Sequence, residues 1–220
     1  MAVLGPLARI RIFLLFSLGL SLPKTLLVHG HITIGDQKMS KTLGNVIDPF
    51  QLIKQYGVDP VRYYLLREIR TTEDGDFSIE KLEKRYDGDL NNGLSNLVHR
   101  VLTLAWNNKN LLGELPLIEA KQTSIPEEYK NSMENFDTSK ALECVWRKIR
   151  DADKLVNDSK LWTLPKENSE KFKSVVIELL ETLGLVSHLL KPFLPNTSGK
   201  IETLIALKEK PEPIFMRLTK

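Results

Sequence analysis

The stretch LLVHGHITIGDQKMSKTLGNVIDP, Leu26 to Pro49, organises the reading of the whole chain. Leu26 to Val28 is a short apolar run, the pattern of a buried strand. Gly35-Asp36, between Ile32-Thr33-Ile34 and Gln37, predicts a tight hairpin turn. Lys38-Met39-Ser40-Lys41-Thr42 then sets two lysines three apart in a five-residue loop. Gly44-Asn45 supplies flexible or left-handed backbone, and Asp48-Pro49 opens a helix as N-cap and first helical residue. A mobile loop with two ammonium groups, tethered between a strand and a helix, suits the charge that develops on a transferring phosphoryl group. Charge alone fits a solvated surface loop better, because exposed lysines are common.

The chain has 220 residues, enough for one large or two small domains with a real core. A net charge of +3 permits an anionic partner without demanding one. Its single cysteine, Cys144, excludes an internal disulfide framework and a cysteine-based zinc knuckle, and points to a reducing compartment. His29 and His31 are the one close pair among four histidines. On a strand they would share a face, but no third ligand lies near, so no metal site is assigned.

Upstream of the organising stretch, Arg9 and Arg11 precede the apolar run Ile12 to Leu20, and no acidic residue occurs before Asp36. A secretory signal has this outline, yet the small-x-small cleavage pattern is missing and the run is too short to span a bilayer. An organelle transit peptide would carry more Ser and Arg. Downstream, Asp48-Pro49 predicts a helix with Phe50, Leu52, Ile53 and Tyr56, stopped by Gly57. Asp59-Pro60 predicts a second helix with Val61, Tyr64, Leu65 and Leu66. Thr71 to Asp76 reads as a turn and Phe77 as part of a short strand.

Ser78 caps a long helix whose residues Leu90, Leu94, Leu97, Val98, Val101, Leu102 and Ala105 form one apolar stripe, although Gly88 and Gly93 weaken it. Gly113 to Pro126 is a loop. Thr138 to Val156, capped by Asp137, is a second amphipathic helix; the chain then breaks from Asp158 to Asn168, around Pro165. Phe172 to Leu190 is the most apolar helix, and Pro195 starts a last one running through Leu207. Mostly short connections make this an antiparallel α-bundle of four or five helices. Trp106 and Trp146 fit the helical patterns as core.

Opposite the apolar stripe, Asn96 and Arg100 stack one turn apart on the polar face. An amide beside a guanidinium can read base edges and phosphate, and is also what an ordinary wet helix face carries. Trp162 follows the Thr138–Val156 helix and by itself would be a loop aromatic packed on the bundle.

KMSKT followed by LGN resembles the KMSKS signature of class I aminoacyl-tRNA synthetases, with threonine in the last place. The run from Leu20 to Pro49 is similar to the methionyl-tRNA synthetases in particular, and the likeness extends over about residues 12 to 208. NLVHR resembles that family's anticodon-recognising Asn-x-x-x-Arg, and Trp162 in KLW resembles the tryptophan on which an anticodon base stacks. Phe13 to Pro23 resembles the helix and loop before the strand that leads to the signature, while residues 1 to 11 match nothing there. The chain is therefore expected to lack the front half of such an enzyme. His29-Gly30-His31-Ile32 has the wrong order and place for the family's His-Ile-Gly-His element and is not assigned.

The resemblance implies a mostly α protein. Residues 1–47 would be the end of a Rossmann-type catalytic domain with the KMSKT loop, 48–77 the stem-contact fold, and 78–220 the helical anticodon-binding domain. It implies methionine–tRNA ligation with ATP and Mg²⁺, tRNA(Met) as partner, no zinc site in this chain, and a monomer in the cytoplasm or alternatively the mitochondrion. Lys38 and Lys41 would be catalytic, Lys38, Met39, Ser40, Lys41 and Thr42 would hold ATP, and Gly44 and Asn45 would be the loop hinge. Asn96, Arg100 and Trp162 would read the anticodon. The chain alone is expected to be inactive, with residues 12 to 28 leaving apolar surface uncovered. A non-catalytic tRNA-binding module and one half of a split synthetase remain the alternatives, as does a secreted or membrane-tethered helical protein if Ile12 to Leu20 is a signal.

Overall fold

The architecture rests on a computed structural model that describes residues 6–40, 42, 44–113, 125–206 and 210–218. A helix α1 (Pro6–Ser17) is followed by extended chain, then by the hairpin β1 (Ile32–Ile34) and β2 (Gln37–Lys38). Helices α2 (Pro49–Tyr56) and α3 (Val58–Glu68) lead to a short strand β3 (Gly75–Asp76). The sheet order is β2-β1-β3, with β1–β2 antiparallel and β1–β3 parallel. Next come α4 (Ile79–Arg85), a π-helix (Tyr86–Ser95) and α5 (Asn96–Asn107) as one continuous rod. The bundle is completed by α6 (Lys109–Leu112), α7 (Glu127–Glu134), α8 (Thr138–Asp158), α9 (Leu164–Glu167), α10 (Ser169–Leu190) and α11 (Pro195–Ile205). No described helix is long and apolar enough to cross a membrane.

The expected hairpin forms with Gly35 at φ 60° and Asp36 at φ 58°, both left-handed as a two-residue turn of this kind requires. Asp36 tolerates this because its neighbour Asp76 accepts from its N–H at 3.0 Å. Gly30 is needed for a different reason. Its N–H donates to Thr71 O at 3.1 Å, and a Cβ there would lie 1.9 Å from the Glu73 carbonyl oxygen.

The strand expected over Leu26–Val28 does not form. These residues are 45%, 44% and 62% exposed, because no strand among the described residues lies alongside to pair with them. The helix boundaries at Asp48, Ser78 and Asp137 hold: their side chains accept from Phe50 N (2.9 Å), Lys81 N (3.4 Å) and Lys140 N (3.1 Å). Asp59 is a correction. Helix α3 already begins at Val58, and the Asp59 carboxylate instead accepts from Thr197 N and Oγ1 (both 2.7 Å) and Asn196 Nδ2 (3.2 Å), capping α11. Phe77 lies one residue past β3, but its N–H still donates to Thr33 O at 2.8 Å.

Two apolar cores meet at α3. Leu52, Tyr56, Val61, Tyr64, Phe77 and Leu82 form a small one, against which Ile32 and Ile34 of the hairpin pack. Tyr63, one residue from Tyr64, is equally buried but belongs to the large bundle core, stacked on Trp146 at 4.6 Å. The Tyr63 hydroxyl donates to Asp89 at 2.6 Å, and burial first, then the Asp89 charge, pushes its phenol far above the ordinary range. Thr138 Oγ1 and Ser139 Oγ donate to the free carbonyls of Leu66 and Arg67 at the end of α3. So α3 is fastened on both sides.

The apolar stripe of residues 90–105 is buried throughout, as its spacing predicts. Its first part is a π-helix, the wider turn spanning Gly88 and Gly93. Helix α7 was not evident in the sequence reading, although Glu127 and Glu128 in its first turn are a start signal. Trp146 is core, at 4% exposure, while Trp106 is only half-buried and carries the Lys109 ammonium 3.7 Å above its ring. That corrects the core assignment of Trp106. The expected loop at 114–124 and the last helix beyond 206 lie outside the described residues.

Candidate functional site

Two places carry chemistry-bearing side chains. The first is the hairpin and its exit loop. Lys38 is not in the loop proper but pairs with Thr33 as the last residue of β2, with an exposed side chain. It makes no ion pair with any described residue, so its charge is unspent. Met39 and Ser40 are half-buried and Thr42 is exposed; Lys41 lies outside the described residues.

Gly44 sits at φ 69° with open space where a Cβ would be. Asn45 bridges the loop: Ser40 N–H donates to its Oδ1 at 2.8 Å, and its Nδ2 donates to Lys38 O at 3.4 Å. The amide thus ties the strand end to the loop, a fastening that sequence reading did not supply. On the β3 side, Asp76 accepts from Thr33 Oγ1 at 3.2 Å. His31 pairs with Asp74, whose carboxyl is held below its usual range mainly by the His31 backbone N–H. His29 bonds only Gly30 O among the described residues. Among the described residues no group of three or more His, Cys, Asp or Glu side chains lies together.

The second place lies between the first turns of α5 and the last turns of α8. Asn96 opens α5 and is exposed. Arg100, one turn on, is half-buried rather than fully solvated. Its guanidinium donates to Asp153 Oδ1 at 2.8 Å and Asn157 Oδ1 at 2.9 Å, and Asn157 Nδ2 donates to Asp153 Oδ2 at 3.1 Å. This closed ring fixes the planar fork and neutralises Asp153. Asp153 and Asn157 were not anticipated; the signal was an acid and an amide four apart on the polar face of α8.

Directly after α8, Lys160 at φ 48° turns the chain, with Leu161 N donating to Val156 O and Thr163 N to Lys160 O. Leu161 is fully buried, which forces its neighbour Trp162 outward to 52% exposure. An exposed indole on a hydrogen-bonded turn, five residues past the Asn157 that holds the Arg100 guanidinium, offers a flat stacking surface.

Residues 12–102 match the family model described as tRNA synthetases class I (M). The methionine–tRNA ligase of Thermotoga maritima is 38% identical over 209 residues, covering 90% of this chain and 33% of its own length. That of Listeria monocytogenes serotype 4b is 38% identical over 210 residues, covering 90% and 31%. The chain belongs to the methionyl-tRNA synthetase family. The free-state methionyl-tRNA synthetase of Mycobacterium tuberculosis superposes with TM-score 0.77 at 26% identity, covering 97% of this chain and 47% of that one. The same enzyme with methionyl-adenylate gives TM-score 0.71 at 30% identity, covering 85% and 39%. The chain spans about a third of the length of the curated relatives it matches, and the likeness runs through both places described above.

Proposed function

We propose that this chain provides two parts of methionine–tRNA ligation: the lysine-bearing loop that acts on ATP, and the surface that reads the anticodon of tRNA(Met). The observation that carries the second role is the Arg100 fork held on the last turns of α8 by Asp153 and Asn157, with the exposed Trp162 on the hydrogen-bonded turn that follows that helix. Asn96 adds an amide one helical turn away. An unstacked anticodon base would lie on the indole, while Arg100 and Asn96 would address base edges or phosphate. The KMSKT segment supports the first role. Lys38, with Lys41, would neutralise the pyrophosphate as its charge builds, and the Ser40 hydroxyl would add a donor. Gly44 gives the loop its turn and Asn45 its fastening. Mg²⁺ bound to ATP would share the phosphate charge.

Trp162→Ala is expected to weaken binding of a CAU anticodon stem-loop by about 1–3 kcal/mol, the worth of one stacked base. Titration of the purified chain with labelled stem-loop measures this. Unchanged affinity with intact helicity would make Trp162 a packing residue and end the anticodon reading. Arg100→Ala is expected to narrow the preference for CAU over other anticodons, as loss of a base contact does. A uniform loss over all loops would instead place Arg100 on phosphate.

A second reading, one component of a split synthetase, is favoured by the apolar face of α1 and the following segment. Phe13, Phe16 and Leu18 are 73%, 70% and 70% exposed, and Val28 is 62% exposed. Large apolar side chains left exposed in this number point to an interaction surface. Adding the catalytic region of a relative as a separate chain and finding methionine-dependent pyrophosphate exchange would select that reading.

A further inference from the structure

The bundle end that carries Trp162 is broader than the three residues named so far. The π-helix and α5 run alongside α8 in the same direction. A Cβ on Gly93 would lie 3.9 Å from Trp146 Nε1, and seven residues further along both rods Arg100 meets Asp153. Continuing the two rods by equal steps brings Trp106 level with Ser159, where the turn holding Trp162 begins. The third side is closed by α10: a Cβ on Gly113, just past α6, would lie 3.8 Å from Lys173 Nζ. Trp106 and Lys109 therefore stand at the same end as Arg100 and Trp162.

Lys109 is exposed, and its ammonium sits 3.7 Å from the Trp106 ring centroid. An aromatic face holds a lysine in place without neutralising it, leaving N–H donors free to point outward. A carboxylate would have cancelled the charge, and no described residue forms an ion pair with Lys109. Arg100, by contrast, is already compensated by Asp153. An aromatic stacking platform flanked by an uncompensated cation is the pattern of single-stranded nucleic-acid sites, where stacking takes the base and the cation takes the backbone.

We propose that Lys109, held over the Trp106 ring, is a phosphate contact for the single-stranded RNA loop whose base stacks on Trp162. The inference rests on the anticodon reading above and adds to it a sequence-independent anchor. Such an anchor sets register, while Asn96 and Arg100 address bases. Trp106 is the positioning residue, because without its ring the lysine side chain is free to wander.

The test is binding of the full 220-residue chain to a CAU anticodon stem-loop and to a loop of another sequence, between about 50 and 200 mM salt. Lys109→Gln is expected to weaken both loops by the same factor and to reduce the slope of log affinity against log salt by roughly 0.7 to 1, one phosphate contact. Lys109→Arg is expected to restore the slope. Lys109 is exposed, so the fold survives either change, and circular dichroism confirms it. If Lys109→Gln leaves the slope unchanged while Trp162→Ala still costs affinity, Lys109 merely caps the end of α5 and the inference is wrong, with the anticodon reading intact. If the unmodified chain binds neither loop, the anticodon reading falls and takes this inference with it.

Discussion

Lys38→Ala, built into an enzyme that joins this chain to the catalytic region of a relative, is expected to slow adenylate formation roughly 100- to 1,000-fold, the usual loss for one donor aimed at developing charge. ATP affinity is expected to fall far less. The ammonium lies on the last residue of β2, fixed by strand pairing to Thr33 and by the Asn45 bridge to its own carbonyl. It is exposed and forms no ion pair among the described residues, so it costs nothing to redirect toward phosphate when pyrophosphate begins to leave. A group that gains most of its interaction in the transition state lowers kcat rather than raising the dissociation constant of the substrate. Single-turnover adenylate formation at saturating and limiting ATP separates the two effects. Equal losses in rate and in ATP affinity would place Lys38 on the ground state and remove it from the catalytic role.

What the sequence revealed, and what it concealed, divides by range. Local chemistry was legible: the Gly35-Asp36 turn, the Asp48, Ser78 and Asp137 caps, and the apolar stripe from Leu90 to Ala105 all depend on neighbours within a few residues. The candidate site was legible in part, because KMSKT and the Asn96–Arg100 pair are compact strings. Their settings were not. Arg100 is locked by Asp153 and Asn157 from another helix, and no spacing within one helix announces a partner in the next. Leu26 to Val28 failed as a strand for the same reason, since an apolar run supplies side chains to bury but not a neighbouring strand to pair with. Trp106 shows the limit of periodicity: its position fits the core stripe, yet it sits where the bundle ends and a lysine covers it.

The two Asp-Pro pairs make the point quantitatively, and Asp59→Ala should be the most damaging of the carboxylate substitutions. We expect a loss of about 3 kcal/mol, set against about 1 kcal/mol or less for Asp48→Ala at an exposed cap. Both residues precede proline and both cap a helix, but Asp48 caps its own while Asp59 reaches a helix that begins far downstream. Asp59 is 4% exposed and Thr197 3%, so removing the carboxylate strands a buried N–H and a buried hydroxyl that water cannot reach. Each such orphan costs about 1–3 kcal/mol. The lost contact also unties α11 from α3, the helix whose Tyr63 and Tyr64 sit in the two separate cores. Urea unfolding is expected to show a lower midpoint with little change in slope, because the surface exposed on unfolding is unchanged. Asp59→Asn keeps an acceptor for the Thr197 N–H and should recover most of the loss. A cost below about 1 kcal/mol for Asp59→Ala, or no recovery with Asn, would mean that packing of α11 alone holds the two cores together.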